Sequence, residues 1–119
     1  MLLYYAVETS LKALIAKNEK LNDSKEVMDF VEGHPVGKAN KGPNLGHRLD
    51  VLCDCAKLDA SEKGTIPAQT FQVRGNNHFA HQMHEVWRYG ATVDPRDYPN
   101  QMHEWLKHLL GVIKEKLSQ

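Results

Sequence analysis

Apolar residues recur at helical spacing in four stretches of the chain, and none of the stretches alternates in the manner of a half-buried strand. From about Leu2 to Lys17, Leu3, Val7, Leu11, Leu14 and Ile15 follow the spacing of one buried helical face. A short helix is expected over about Ser24 to Glu32. Asp23 and Glu26 stand at capping-box spacing ahead of it, and Gly33-His34-Pro35 stops it. Residues 33–46, GHPVGKANKGPNLG, read as a loop. The next helix spans about Asn44 to Leu58 with Leu45, Leu49, Leu52 and Ala56 on one face, followed by the connection DASEKGTIPAQ. A longer helical stretch is expected from about Pro67 to Tyr89, kinked or restarted at Gly75-Asn76-Asn77, with either asparagine as the cap. Its apolar side would carry Phe79, Met83, Val86 and Trp87. After the loop GATVDPRDYP, a last helix from about Asn100 to Leu117 carries the stripe Met102, Trp105, Leu106, Leu109, Leu110 and Ile113. Together these elements predict one all-α domain over residues 1–119, an up-and-down bundle of four or five helices.

Charge narrows the kinds of partner. Fifteen Lys and Arg balance fifteen Asp and Glu, so bulk electrostatics cannot hold nucleic acid and only a local basic patch could. The opening MLLYYAVETSL lacks a basic leader and is interrupted by Glu8, so neither a signal peptide nor a membrane anchor is expected. Cys53 and Cys55 are the only two cysteines. On a helix they point roughly 200° apart, which precludes a mutual disulfide or a shared metal. Reduced thiols, at least one of them in the core, suit a cytoplasmic protein.

Two motifs fail on spacing. Gly33 to Gly37 leaves only three residues between the glycines, and Ala39 follows Lys38 where a P-loop needs a hydroxyl. His78, His81 and His84 would fan over about 120° of a helix, so two of them could share a metal but not all three. More informative is the polar face of the same stretch. With a continuous helix, Arg74, His78, His81, Glu85 and Arg88 fall within about 40° of one line. Such a stripe reads either as a solvated face of mixed charge or as a groove for a phosphodiester. In the second reading a histidine is the acid or base and an arginine stabilises the transition state.

This arrangement resembles a HEPN domain, the small helical bundle of toxin–antitoxin modules, defence proteins and nucleotidyltransferase partners. Three segments carry the resemblance: YYAVETSLKALI (4–15), NLGHRLDVL (44–52) and WRYGATVDPRDYPNQMHEWLKHLLGVIKEKL (87–117), with Gly90 where the family's Arg-Tyr-Pro turn has proline. The resemblance implies a metal-independent endoribonuclease acting as a toxin or phage-defence effector. Its arginine and histidine would be four to six residues apart. Arg74 and His81 fit with six between them; His78 is an alternative, and Asn77 and Arg88 are substrate-binding supports. Arg96 and His103 form a second match. The resemblance also implies a homodimer, expected to cover Tyr4 and Tyr5, with no cofactor and no metal. A non-catalytic HEPN module is the alternative, binding nucleotide, nucleic acid or a partner such as an antitoxin or a nucleotidyltransferase. A third reading is a helical metal-binding protein that uses His78 and His81.

Overall fold

In the computed structural model, the structure describes residues 2–73, 75–83 and 96–119. Within them the chain is mostly helical and also contains one two-stranded antiparallel sheet. The helices are α1 (Leu2–Glu19), α2 (Ser24–Gly33), α3 (Pro35–Ala39), α4 (Leu49–Cys55), α5 (Ala60–Lys63) and α6 (Tyr98–Leu117). The strands are β1 (Thr70–Val73) and β2 (Asn76–Phe79).

The frame is α1 packed against α6. Val7, Leu11, Leu14 and Ile15 of the first bury against the stripe of the second, where Met102, Trp105, Leu106, Leu109 and Ile113 are buried and Leu110 is partly so. Pro99 sits in the first turn of α6, where its missing N–H costs nothing. At the other end the Lys17 ammonium donates to the carbonyls of Lys116, Leu117 and Gln119, a cation on the negative end of the helix.

Local chemistry sets the remaining ends. Lys20 takes a left-handed conformation (φ 57°), and the Leu21 N–H reaches back to Ala16 O at 2.9 Å, which closes α1. Lys57 (φ 63°) does the same for α4, with Leu58 N–H on Cys53 O at 3.1 Å. Asp23 caps α2 as expected, accepting from the Glu26 N–H, while the Glu26 carboxylate accepts from the Asn22 N–H rather than from that of Asp23. His34 ends α2 and starts α3: its Nδ1 accepts from the Val36 N–H at 3.1 Å. The segment 33–46 is therefore not wholly loop, because Pro35 after a capping residue is a helix start.

In place of one helix over 44–58 there is a 3-10 turn at Leu45–His47 and then α4, whose Leu49, Val51, Leu52, Cys53 and Cys55 are all buried. A short helix buried on nearly every side belongs at the centre of a core. Both thiols are free, and burial pushes them up, Cys53 to about 12 and Cys55 to about 11. The connection that follows contains α5, started by a reciprocal Asp59–Glu62 capping box.

The largest departure concerns residues 67–89. The described part of this stretch forms β1, β2 and a 3-10 turn at Ala80–Gln82 instead of a helix. Phe71 pairs with His78 and Val73 with Asn76 across the ladder, and Gly75 supplies the positive φ of 79° at the turn. Asn76 and Asn77 are strand residues, not caps. Phe79, expected to face the core, is exposed; Met83 is buried as expected. Val86 and Trp87 lie outside the described residues. Among the described residues no helix is long and apolar enough to cross a membrane.

Candidate functional site

The hairpin dissolves the polar stripe that a continuous helix would have made. His78 and His81 are on a strand and in a 3-10 turn, so they do not line one helical face. Arg74, Glu85 and Arg88 lie outside the described residues. His78 faces inward, half-buried, with its ring 5.5 Å from that of Phe71. Asn77 is on the exposed face, where its side-chain oxygen accepts from Gln72 Nε2 at 3.2 Å. Of the second arginine–histidine match, Arg96 and His103 are both exposed.

His81 is where the structure becomes informative. Its ring stacks on that of His47, with centroids 4.6 Å apart and planes at 26°, and also on that of Phe79 at 6.0 Å and 20°. His47 in turn donates from Nδ1 to Glu8 Oε1 at 2.9 Å. An ionised carboxylate can only accept, so the proton of that bond lies on Nδ1, and Nε2 is left to accept or, when protonated, to release a proton. The Glu8 carboxylate is nearly enclosed (7% exposed) and its second oxygen holds the Lys12 ammonium at 3.1 Å. The His47 side chain remains 43% exposed, so its ring is both oriented and reachable from solvent.

Three elements set this geometry. Glu8 lies on the buried face of α1, between Tyr4 and Leu11. The Tyr4 hydroxyl donates to the His47 carbonyl at 2.6 Å and so pins the 3-10 turn onto α1. Burial pushes the Tyr4 phenol well above the ordinary tyrosine range, which keeps it a donor. Tyr4 is therefore a core residue, not one of a pair of exposed aromatics awaiting a second chain; only Tyr5 is exposed. The third element, the turn after β2, delivers His81.

Two other histidines have structural partners. His34 caps α3, and His108 contacts Glu62 O at 2.9 Å. Among the described residues no three His, Cys, Asp or Glu side chains converge in a way that could hold a metal ion. Arg48, next to His47, is held by two bonds to Asp50 at 3.0 and 2.6 Å, which keep its guanidinium charged.

His81 was expected from the sequence; Glu8 and His47 were not. The signal for Glu8 was a charge at a position of the apolar stripe, i+4 from Tyr4 and three before Leu11. Both missed residues belong to the segments 4–15 and 44–52. Compared with family models, curated proteins and solved structures, the chain matches none.

Proposed function

We propose that the chain is a HEPN-like helical domain that cleaves RNA without a metal, as a toxin or defence effector. The observation that carries this reading is the stack of His81 on His47, itself oriented by the buried Glu8 carboxylate. Two imidazoles side by side can divide proton transfer: the neutral ring takes the proton of a ribose 2′-hydroxyl as its oxygen attacks phosphorus, and the protonated ring delivers one to the departing 5′-oxygen. The products are a 2′,3′-cyclic phosphate and a 5′-hydroxyl. Arg74 has the charge-stabilising role, with Asn77 and Arg88 as binding supports and His78 as a support of the hairpin rather than a proton carrier.

The experiment is direct. Purified full-length chain is incubated with RNA in the presence of EDTA, and the new ends are identified. Cleavage with cyclic phosphate ends is expected, reduced about 100-fold or more in His47→Ala, His81→Ala and Arg74→Ala. Undiminished cleavage in the histidine variants, or none by the natural sequence, overturns the nuclease reading. A second reading is favoured by the hairpin itself, since His81 sits in a 3-10 turn after a strand and not on a long helix. In that reading the domain is a non-catalytic HEPN module that binds RNA, nucleotide or a partner protein, and it retains RNA binding while cutting nothing.

A further inference from the structure

Beside the histidine stack runs a surface of different chemistry. Lys38 and Lys41 line a groove of about 650 Å³ together with Gly33, Gly37 and Leu45, and Glu32 is its one carboxylate. A second, shallower groove of about 230 Å³ shares Lys41 and Leu45 with the first and continues past Asn44 and Arg48 to Phe79. Arg48 is neutralised by Asp50, whereas among the described residues neither lysine ammonium has an ion-pair partner. Phe79 is 39% exposed and forms the far wall of the second groove, and its ring stacks on His81. The surface thus passes from two unpaired cations to an open aromatic ring and then to the histidines.

We propose that this surface is an entry track for a single RNA strand, with phosphates on Lys38 and Lys41 and one base stacked on Phe79, leading the strand to His81 and His47. The proposal rests on the reading that the histidine site acts on RNA, and it adds which form of RNA and by which residues. Lysine cations hold backbone phosphates regardless of sequence, and an exposed aromatic takes the face of any unpaired base. A duplex keeps its bases stacked on one another and cannot offer one to Phe79. A balanced net charge leaves no broad basic footprint, so a short local track is the mode open to this chain.

The test uses a fluorescein-labelled ten-nucleotide RNA, 2′-O-methylated throughout so that it cannot be cut, and the full chain. Fluorescence anisotropy is followed over a range of salt concentrations, with a blunt duplex of the same sequence in parallel. For Lys38→Gln/Lys41→Gln the slope of log affinity against log salt should fall by about 1.4, two single-strand phosphate contacts. Phe79→Ala should bind roughly 5- to 100-fold more weakly with an unchanged slope, and Phe79→Tyr should bind like the natural sequence. Variants that bind like the natural sequence, or a duplex that binds as tightly as the single strand, overturn the track. If unmodified RNA is still cleaved in those cases, the nuclease reading survives. Binding with the expected losses but no cleavage of unmodified RNA supports the track and removes the nuclease.

Discussion

Glu8 and His47, 39 residues apart in sequence, share a hydrogen bond of 2.9 Å between Oε1 and Nδ1. A carboxylate on the buried face of a helix needs partners for both oxygens, and His47 and Lys12 are those partners. The bond fixes which nitrogen of His47 faces outward. Glu8→Gln preserves size and one acceptor oxygen but removes the charge, so the bond that orients the ring becomes a weaker, neutral one and the Lys12 ammonium loses its counter-charge. On the proposed nuclease reading, kcat of RNA cleavage should fall about 10- to 100-fold with KM little changed, because Glu8 would act through His47 and not on the RNA. Steady-state cleavage assays check it, with far-UV circular dichroism to verify that the fold persists. An equal loss in kcat/KM carried wholly by KM would reassign Glu8 to binding.

Alkaline pH should weaken the fold. Burial raises the acid groups of Tyr4, Tyr98, Cys53 and Cys55, the thiols to about 12 and about 11 from an ordinary 9.0. In the unfolded chain these groups lose their protons first, so the unfolded state binds fewer protons at high pH. Their contribution is complete below about pH 9 and declines as pH rises through the thiol and phenol range. Thermal melts between pH 7 and 11 should show a falling Tm, less steep in Cys53→Ala/Cys55→Ala. In the native protein at pH 8 both thiols should resist iodoacetamide and react once urea unfolds the chain.

The parts of this fold that could be read in the sequence are those that bury one stripe. In α1 and α6 the apolar residues recur every three or four positions over four or more turns, and the same residues are buried, Leu3 and Leu110 only partly. The hairpin escaped because its strands are four residues each, too short for alternation to stand out, and because Phe79 and Met83 also satisfy an i, i+4 helical spacing. Thr70, Phe71 and Val73 ahead of Gly75 were the competing signal, β-branched and aromatic residues before a turn. As candidates, His81 and His78 are named by type and spacing, and the structure places His81 in the histidine stack and His78 against Phe71. Their true neighbours could not, since His47 reaches His81 and Glu8 only through tertiary packing. Tyr4 was misplaced for the same reason: its partner is a carbonyl 43 residues away.

Two glycines should respond oppositely to alanine. A Cβ on Gly37 would lie 1.7 Å from Val31 O and 2.8 Å from Val31 C, backbone atoms that cannot move aside without opening α2. Gly37→Ala should cost about 3 kcal/mol or more. Gly111 is an exposed interior position of α6 with nothing within 4 Å of its would-be Cβ. Gly111→Ala should therefore stabilise by about 0.8–1 kcal/mol through helix propensity. Urea titrations of the two variants give both values, and the same sign for both would contradict the packing of α3 under α2.

The hairpin is held to the helices by Phe71, and the cost of removing that ring should distinguish it from Phe79. Phe71 is buried, stacked 5.5 Å from His78 and 5.3 Å from Tyr98, whose hydroxyl donates to Ala68 O at 2.6 Å just before β1. Phe71→Ala leaves a cavity between sheet and α6 and should cost about 3–5 kcal/mol. Phe71→Leu refills part of the space and should lose roughly 1.5 kcal/mol. Phe79, on the solvent face of the same hairpin, gives up little burial, so Phe79→Ala should cost under about 1 kcal/mol. Because β2 leads directly into the turn that carries His81, the proposed nuclease reading requires that Phe71→Ala also lower RNA cleavage at temperatures where the domain remains folded. Urea titration and cleavage assays on the three variants check the order. Equal destabilisation by Phe71→Ala and Phe79→Ala would mean that the hairpin presents its other face to the helices, and the stack of Phe79 on His81 would then have to be redrawn.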